Sequence, residues 1–154
     1  MIAGANIRSR TYTIARTSAP CRRCRRPTLL LALGVPDSHE TLEIDAWQQA
    51  GAEALLFHVQ ALPPGVRHRL QQLSPHFRTA RSAATQNACW VNHCAHCGTL
   101  LDDDELHCEP EGAFFPTSQS AAADIELIRI DAPMEAAASG YALAPEFLPF
   151  MRRS

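Results

Sequence analysis

Six cysteines occur in the 154 residues, and four of them fall into two C-x-x-C pairs, Cys21-Arg22-Arg23-Cys24 and Cys94-Ala95-His96-Cys97. No other feature of the sequence limits the fold as strongly. A C-x-x-C turn lets two thiolates from one turn reach a single ion, and two such turns complete a tetrahedron. Gly98 follows the second pair and suits a tight knuckle whose backbone needs positive φ. In the first pair Arg25 takes that place. Paired knuckles are commonly about 15 to 20 residues apart, and here the separation is about 70. The longer loop adds about (3/2)RT ln(70/18), roughly 1.2 kcal/mol, to the closure cost. Structural zinc supplies on the order of 10 kcal/mol. The metal term wins, so Cys21, Cys24, Cys94 and Cys97 are expected to hold one structural Zn2+.

Other uses of the four cysteines fit less well. Two C-x-x-C pairs rarely arise from unpaired core thiols alone. A disulfide scaffold needs an oxidising compartment, and the sequence offers no convincing export signal. A thioredoxin-like redox pair needs its C-x-x-C at a helix N-terminus within a βαβ unit, whereas both pairs here lie between strand-like runs.

The composition is that of a globular chain, with 46% hydrophobic and 19% charged residues. It supports a sizeable core and argues against global disorder. A net charge of -2 excludes a wholesale polyanion binder. The charge is uneven, however. Residues 1–36 hold seven arginines and no acid, and residues 102–111 hold six acids and no Lys or Arg. Lysine is absent, a bias assigned first to genome composition. Four thiolates around Zn2+ leave a charge of -2, which Arg22, Arg23, Arg25 and Arg26 can offset. The same arginines are the candidate for weak, nonspecific nucleic-acid binding. No run approaches the roughly 20 apolar residues of a membrane span. The Arg-flanked run Leu29–Val35 lies too far from the N-terminus for a signal peptide, and the β-branched residues near the N-terminus argue against a transit peptide. A cytoplasmic location is expected.

Arg10–Arg16, Thr28–Val35, Ala54–Leu62, Ala88–His93 and Ala123–Ile130 read as strands from their β-branched and apolar content. Pro63-Pro64 suits a helix start, and Val66, Leu70, Leu73 and Phe77 follow at near-helical spacing, so a helix is expected over 64–73. Residues 37–45 and 79–87 read as loops, Asp102–Leu106 as a helical turn, and the proline-bearing tail after Ile130 as irregular surface chain. The expected architecture is a single α+β domain over 1–154. It is a zinc-ribbon-like, mainly antiparallel sheet in which 37–87 is an inserted strand–helix segment between the knuckles.

Several further residues carry chemistry in principle. His93, His96 and His107 surround the second knuckle with Cys89 and Cys108, and they are read as ordinary buried or neighbouring groups. Asp102, Asp103, Asp104 and Glu105 with His107 are read as a solvated turn with carboxylates near a positive helix end. The competing reading is a metal-dependent hydrolase or nuclease centred on His93, Asp103, Asp104 and His107. It requires ligands converging from separate elements around an open coordination position. Trp47 and Trp90 could stack bases, but Trp90 between Cys89 and Val91 reads as core. The sequence carries no Gly-rich phosphate loop, nucleophile elbow or H-E-x-x-H motif.

The stretch Trp90-Val91-Asn92-His93-Cys94-Ala95-His96-Cys97-Gly98, followed by Glu109-Pro110-Glu111-Gly112-Ala113-Phe114-Phe115-Pro116, resembles a family of bacterial zinc-ribbon-like proteins of no known function. These pair an N-terminal C-x-x-C and apolar strand with a later W-x-N-x-C-x-x-C-G knuckle. The resemblance spans residues 15–150 and implies metal binding by Cys21, Cys24, Cys94 and Cys97. It implies no activity. The sequence therefore points to a zinc-stapled binding or adaptor module that meets protein or nucleic acid and whose partner the sequence does not identify, rather than to an enzyme.

Overall fold

Strand β1 (Ile7–Ser9) is short, and the chain then runs into the longest hairpin of the molecule, β2 (Tyr12–Pro20) and β3 (Pro27–Val35). The computed structural model describes residues 2–81 and 86–154. β2 and β3 pair antiparallel from Thr13 opposite Gly34 to Pro20 opposite Pro27, so the first cysteine pair forms the hairpin's turn. β3 is an unbroken apolar run because it is covered on both faces. Leu31 and Leu33 lie in one core cluster with Tyr12, Ile14, Leu56, Val66 and Leu70. Leu30 and Ala32 lie in the other, with Ile125, Leu127, Leu148 and the thiols of Cys21 and Cys94. Each large apolar side chain buried in this way contributes roughly 1.5–3 kcal/mol.

Residues 37–45, expected as a loop, contain β4 (Glu40–Glu43), which pairs with β5 (Ala46–Gln49) in a hairpin. Most of its side chains are exposed on both faces, so no apolar alternation marks it. β6 (Ala54–Ala61) lies in the interior of the sheet. One of its edges pairs first with β3, Leu33 opposite Leu56, and further along with β8 (Ala88–His93), Val59 opposite Trp90. Helix α1 (Pro64–Leu73) occupies the expected residues and turns Val66 and Leu70 inward. The loop expected over 79–87 is partly strand. β7 (Phe77–Arg81) pairs with β8 because Phe77 is buried and stacks on Trp90. Of the rest of that expected loop, residues 82–85 lie outside the described residues. β8 runs through the second cysteine pair into β9 (Leu100–Leu101), so this pair too is a hairpin turn.

The turn expected at Asp102–Leu106 is a wide helical turn at Asp104–Cys108 with an i→i+5 character. Helix α2 (Gln119–Ala123) is capped by Ser118, whose hydroxyl accepts from the Ala121 amide at 3.1 Å. β10 (Glu126–Ile130) begins later than the expected strand for this reason. The tail after Ile130 is not irregular. β11 (Met134–Leu143) is a ten-residue strand along the second edge of β6, and β12 (Arg152–Arg153) closes the far end. The order is β12-β10-β2-β3-β6-β11-β1-β4-β5, with β7, β8 and β9 branching from β6. Among the described residues every pairing is antiparallel except β10 with β12. The architecture is thus α+β with a mainly antiparallel sheet. The segment 37–87 supplies β4 to β7 and α1 to it. No helix among the described residues is long and apolar enough to cross a membrane.

Candidate metal centre

The two knuckles are built alike. In the first, the Cys21 amide donates to the Arg26 carbonyl (2.9 Å), the Arg25 amide to the Cys21 carbonyl (2.9 Å) and the Arg23 amide to Cys21 Sγ (3.4 Å). In the second, the Cys94 amide donates to Thr99 (2.9 Å), the Gly98 amide to Cys94 (3.0 Å) and the His96 amide to Cys94 Sγ (3.4 Å). The residue after the second cysteine has positive φ in both turns, +68° at Arg25 and +76° at Gly98. Amide donors aimed at sulfur favour its anionic form.

The sheet brings the knuckles face to face. One sulfur from each of Cys21, Cys24, Cys94 and Cys97 lies within 4.8 Å of the others. Across the two turns, Cys21 Sγ is 3.6 Å from Cys97 Sγ, and Cys24 Sγ is 3.6 Å from Cys94 Sγ. Zn–S bonds of about 2.3 Å in a tetrahedron place sulfurs about 3.8 Å apart, so the set fits one four-coordinate ion of that size. None of the six cysteines is joined in a disulfide. Cys21 and Cys94 are buried, Cys24 is half-buried and Cys97 exposed. The Thr99 hydroxyl at 3.0 Å and the Thr99 amide bring the Cys97 thiol down to about 6. Burial raises the Cys94 thiol, but the Cys97 and His96 amides and the facing thiols outweigh it, and its pKa is lowered. The Arg26 amide draws Cys24 down, yet burial and the surrounding thiols push it up to about 11. The cluster therefore starts to ionise at Cys97 and resists complete ionisation without a counter-charge.

Residues flanking the knuckles fix their separation. Where β3 leaves the edge of β6, Leu31 has no ladder partner there, and the buried Asn92 amide of β8 replaces one. Its Oδ1 accepts from the Leu31 amide (2.8 Å), and its Nδ2 donates to the Leu31 carbonyl (2.9 Å). Thr28 Oγ1 accepts from the Ala95 amide (3.0 Å), and His96 Nε2 lies 3.0 Å from the Pro27 carbonyl. This last contact occupies His96 at the surface. His93 is buried with Nδ1 3.1 Å from the His76 carbonyl, and burial lowers its pKa. Neither histidine belongs to the thiol group, nor does Cys89 or Cys108. Arg22, Arg23, Arg25 and Arg26 are all exposed around the first knuckle, and Arg22 reaches Glu105 at 2.7 Å.

The acidic segment is ordered differently from its expected form. Of His93, Asp103, Asp104 and His107, only Asp104 joins a possible ligand group, and its partners there are Asp102 and His58. Asp103 is buried, and its Oδ2 accepts from the His58 amide at 2.8 Å. Burial raises its carboxyl to about 6, against the pull of that amide. His107 is buried between two rings, 4.9 Å from Phe57 and 5.1 Å from Phe114. Trp90 is core, and Trp47 carries the Arg8 guanidinium 4.2 Å above its ring. His58 escaped the sequence reading because a single histidine in the apolar run Ala54–Ala61 looks like a core residue. Comparisons with protein-family models, curated proteins and solved structures give no match for this chain.

Proposed function

We propose that the chain binds one structural Zn2+ on Cys21, Cys24, Cys94 and Cys97, and that this ion staples the β2–β3 and β8–β9 hairpins of a non-catalytic, zinc-ribbon-like binding or adaptor module. The observation that carries the reading is the crosswise approach of two like-built knuckles, with sulfur pairs at 3.6 Å. Four thiolates select a borderline-soft ion and fill its tetrahedron. No position is left for water or substrate, so the ion does not act as a Lewis acid. Membership of the bacterial family that the knuckles resemble belongs to the same proposal, as does a cytoplasmic location, where thiols stay reduced. The four exposed arginines offset the charge of the site and give weak, salt-sensitive contact with phosphate polyanions at most.

Metal analysis of the purified protein is expected to return one zinc per chain. Cobalt in its place should give intense thiolate charge-transfer bands that azide does not alter. A spectrum that shifts with azide, or with pH near neutrality, reveals a bound water and overturns the closed site. Cys94→Ser should lose both metal and folding, because ligands far apart in sequence give their binding energy to the fold. A soluble Cys94→Ser protein with an unchanged melting temperature contradicts this.

A further inference from the structure

We propose a second cation site, chemically distinct from the thiol cluster, at the junction of β6 and the Asp104–Cys108 turn. Its ligands are His58, Asp102 and Asp104, and it suits an exchangeable first-row divalent ion of the Mn2+ type. One imidazole nitrogen of His58 and one carboxylate oxygen from each aspartate lie within 4.8 Å of one another. Donors bound to one ion at about 2.0–2.2 Å lie at most about 4.4 Å apart and nearer about 3 Å when adjacent, so side-chain rotation has to bring the set onto a common ion. Asp104 has the freedom to do so, since its side chain is about half exposed, at 49%.

His58 supplies the second observation. Its side chain is only 7% exposed and points at the carboxylates, with Nε2 2.7 Å from Asp104 Oδ1. Its Nδ1 is buried and has no hydrogen-bond partner. Buried imidazole nitrogens are ordinarily satisfied, so this ring is left one partner short, while its Nε2 faces a carboxylate able to share a cation. The ring is also held in place from behind. The His58 backbone sits at φ +49°, a strained conformation for a side chain of this size, and the Asp103 carboxylate fixes it through the His58 amide. Asp102 is tied in turn, its Oδ1 accepting from the Asp104 amide at 3.0 Å. Strand and turn thus present one nitrogen and two oxygens at a partly open surface. Three protein donors leave coordination positions for water or for an oxygen ligand.

Donor chemistry separates the two sites. Carboxylate and imidazole accept Mn2+, whereas four thiolates retain zinc against it. The test is therefore a titration of the full-length, zinc-loaded protein with Mn2+ alone, followed by electron paramagnetic resonance of the free ion. The expected result is one Mn2+ per chain with the zinc content unchanged. Asp104→Asn and His58→Gln should each weaken that binding by more than about tenfold. Asp104→Asn alters a half-exposed side chain, so it is expected to keep its zinc and its melting temperature. Cys108→Ser should bind Mn2+ as the parent does, although Cys108 Sγ lies 3.9 Å from Asp104 Oδ1. Absence of Mn2+ binding up to about 1 mM in the zinc-loaded parent overturns the proposal, and so does binding that Asp104→Asn and His58→Gln leave unchanged. Loss of zinc without loss of Mn2+ instead counts against the thiol site alone.

Discussion

Arg25 and Gly98 hold the same place in the two knuckles, at φ +68° and +76°, and only glycine adopts that conformation without steric cost. A side chain in the left-handed region costs about 1–2 kcal/mol. Arg25→Gly is therefore expected to stabilise the zinc-loaded protein by about 1 kcal/mol in denaturant unfolding, and Gly98→Ala to destabilise it by a similar amount. No atom lies within 4 Å of a Cβ built on Gly98, so its cost is conformational rather than a clash. Destabilisation by Arg25→Gly would show instead that the guanidinium supports the thiolates by more than the strain it brings. Asn92 works through a different mechanism. Its amide is buried and closes two hydrogen bonds to Leu31, so Asn92→Ala strands a donor and an acceptor where no water reaches. With each of the two orphaned groups at about 1–3 kcal/mol, the loss should be about 2–6 kcal/mol in equilibrium unfolding. A loss under 1 kcal/mol would mean that β3 and β8 re-pair without it.

At the level of elements, β11 and β6 form the contact the sequence hides best. Gly140 lies opposite Phe57, and a Cβ added there would stand 2.2 Å from the Phe57 ring. The strand is Met-Glu-Ala-Ala-Ala-Ser-Gly-Tyr-Ala-Leu because β6 brings the bulky side chains and β11 the space for them. Strand propensity is low for alanine and glycine, so neither composition nor alternation reveals it. Gly140→Ala is expected to cost about 1–3 kcal/mol by overpacking. Phe57→Leu should relieve part of that cost, and a double-mutant cycle measures the coupling. Additive effects of the two changes would place the strain elsewhere. Elements that bury one strong apolar pattern were legible: β3 between its prolines, α1 after Pro63-Pro64, and β8. The exposed β4–β5 hairpin and the small-residue β11 were not, since neither carries an apolar period. The thiol site was legible because C-x-x-C places both ligands in one local turn. The His58 group was not, because His58 meets Asp102 and Asp104 only through the pairing of β6 with the rest of the sheet.

For the whole molecule, acid stability depends on a group outside both proposed ligand sets. Burial holds His107 neutral between Phe57 and Phe114, with the nearby His58 charge adding to the effect, and its pKa falls from 6.5 to about 3. The folded-state value is depressed, so the stabilising contribution is complete above pH 6.5. As the pH falls below that value, the unfolded chain takes up a proton that the folded chain refuses. Stability then declines by up to about 1.4 kcal/mol per pH unit until the folded value near 3 is reached. At pH 4.5 this amounts to roughly 2–3 kcal/mol. His107→Phe keeps an aromatic ring between Phe57 and Phe114 and removes the titration. Its stability at neutral pH is set by how well the larger ring fits, which can cost about 1–3 kcal/mol. Its stability relative to the parent protein should nevertheless rise steadily as the pH is lowered from 7 to 4.5. Acid protonation of the thiolates acts on both proteins, so the difference between their unfolding free energies isolates His107. Parallel pH profiles for the two proteins would show that His107 gains its proton in the folded state as readily as in the unfolded one, and that the ring stack does not penalise its charge.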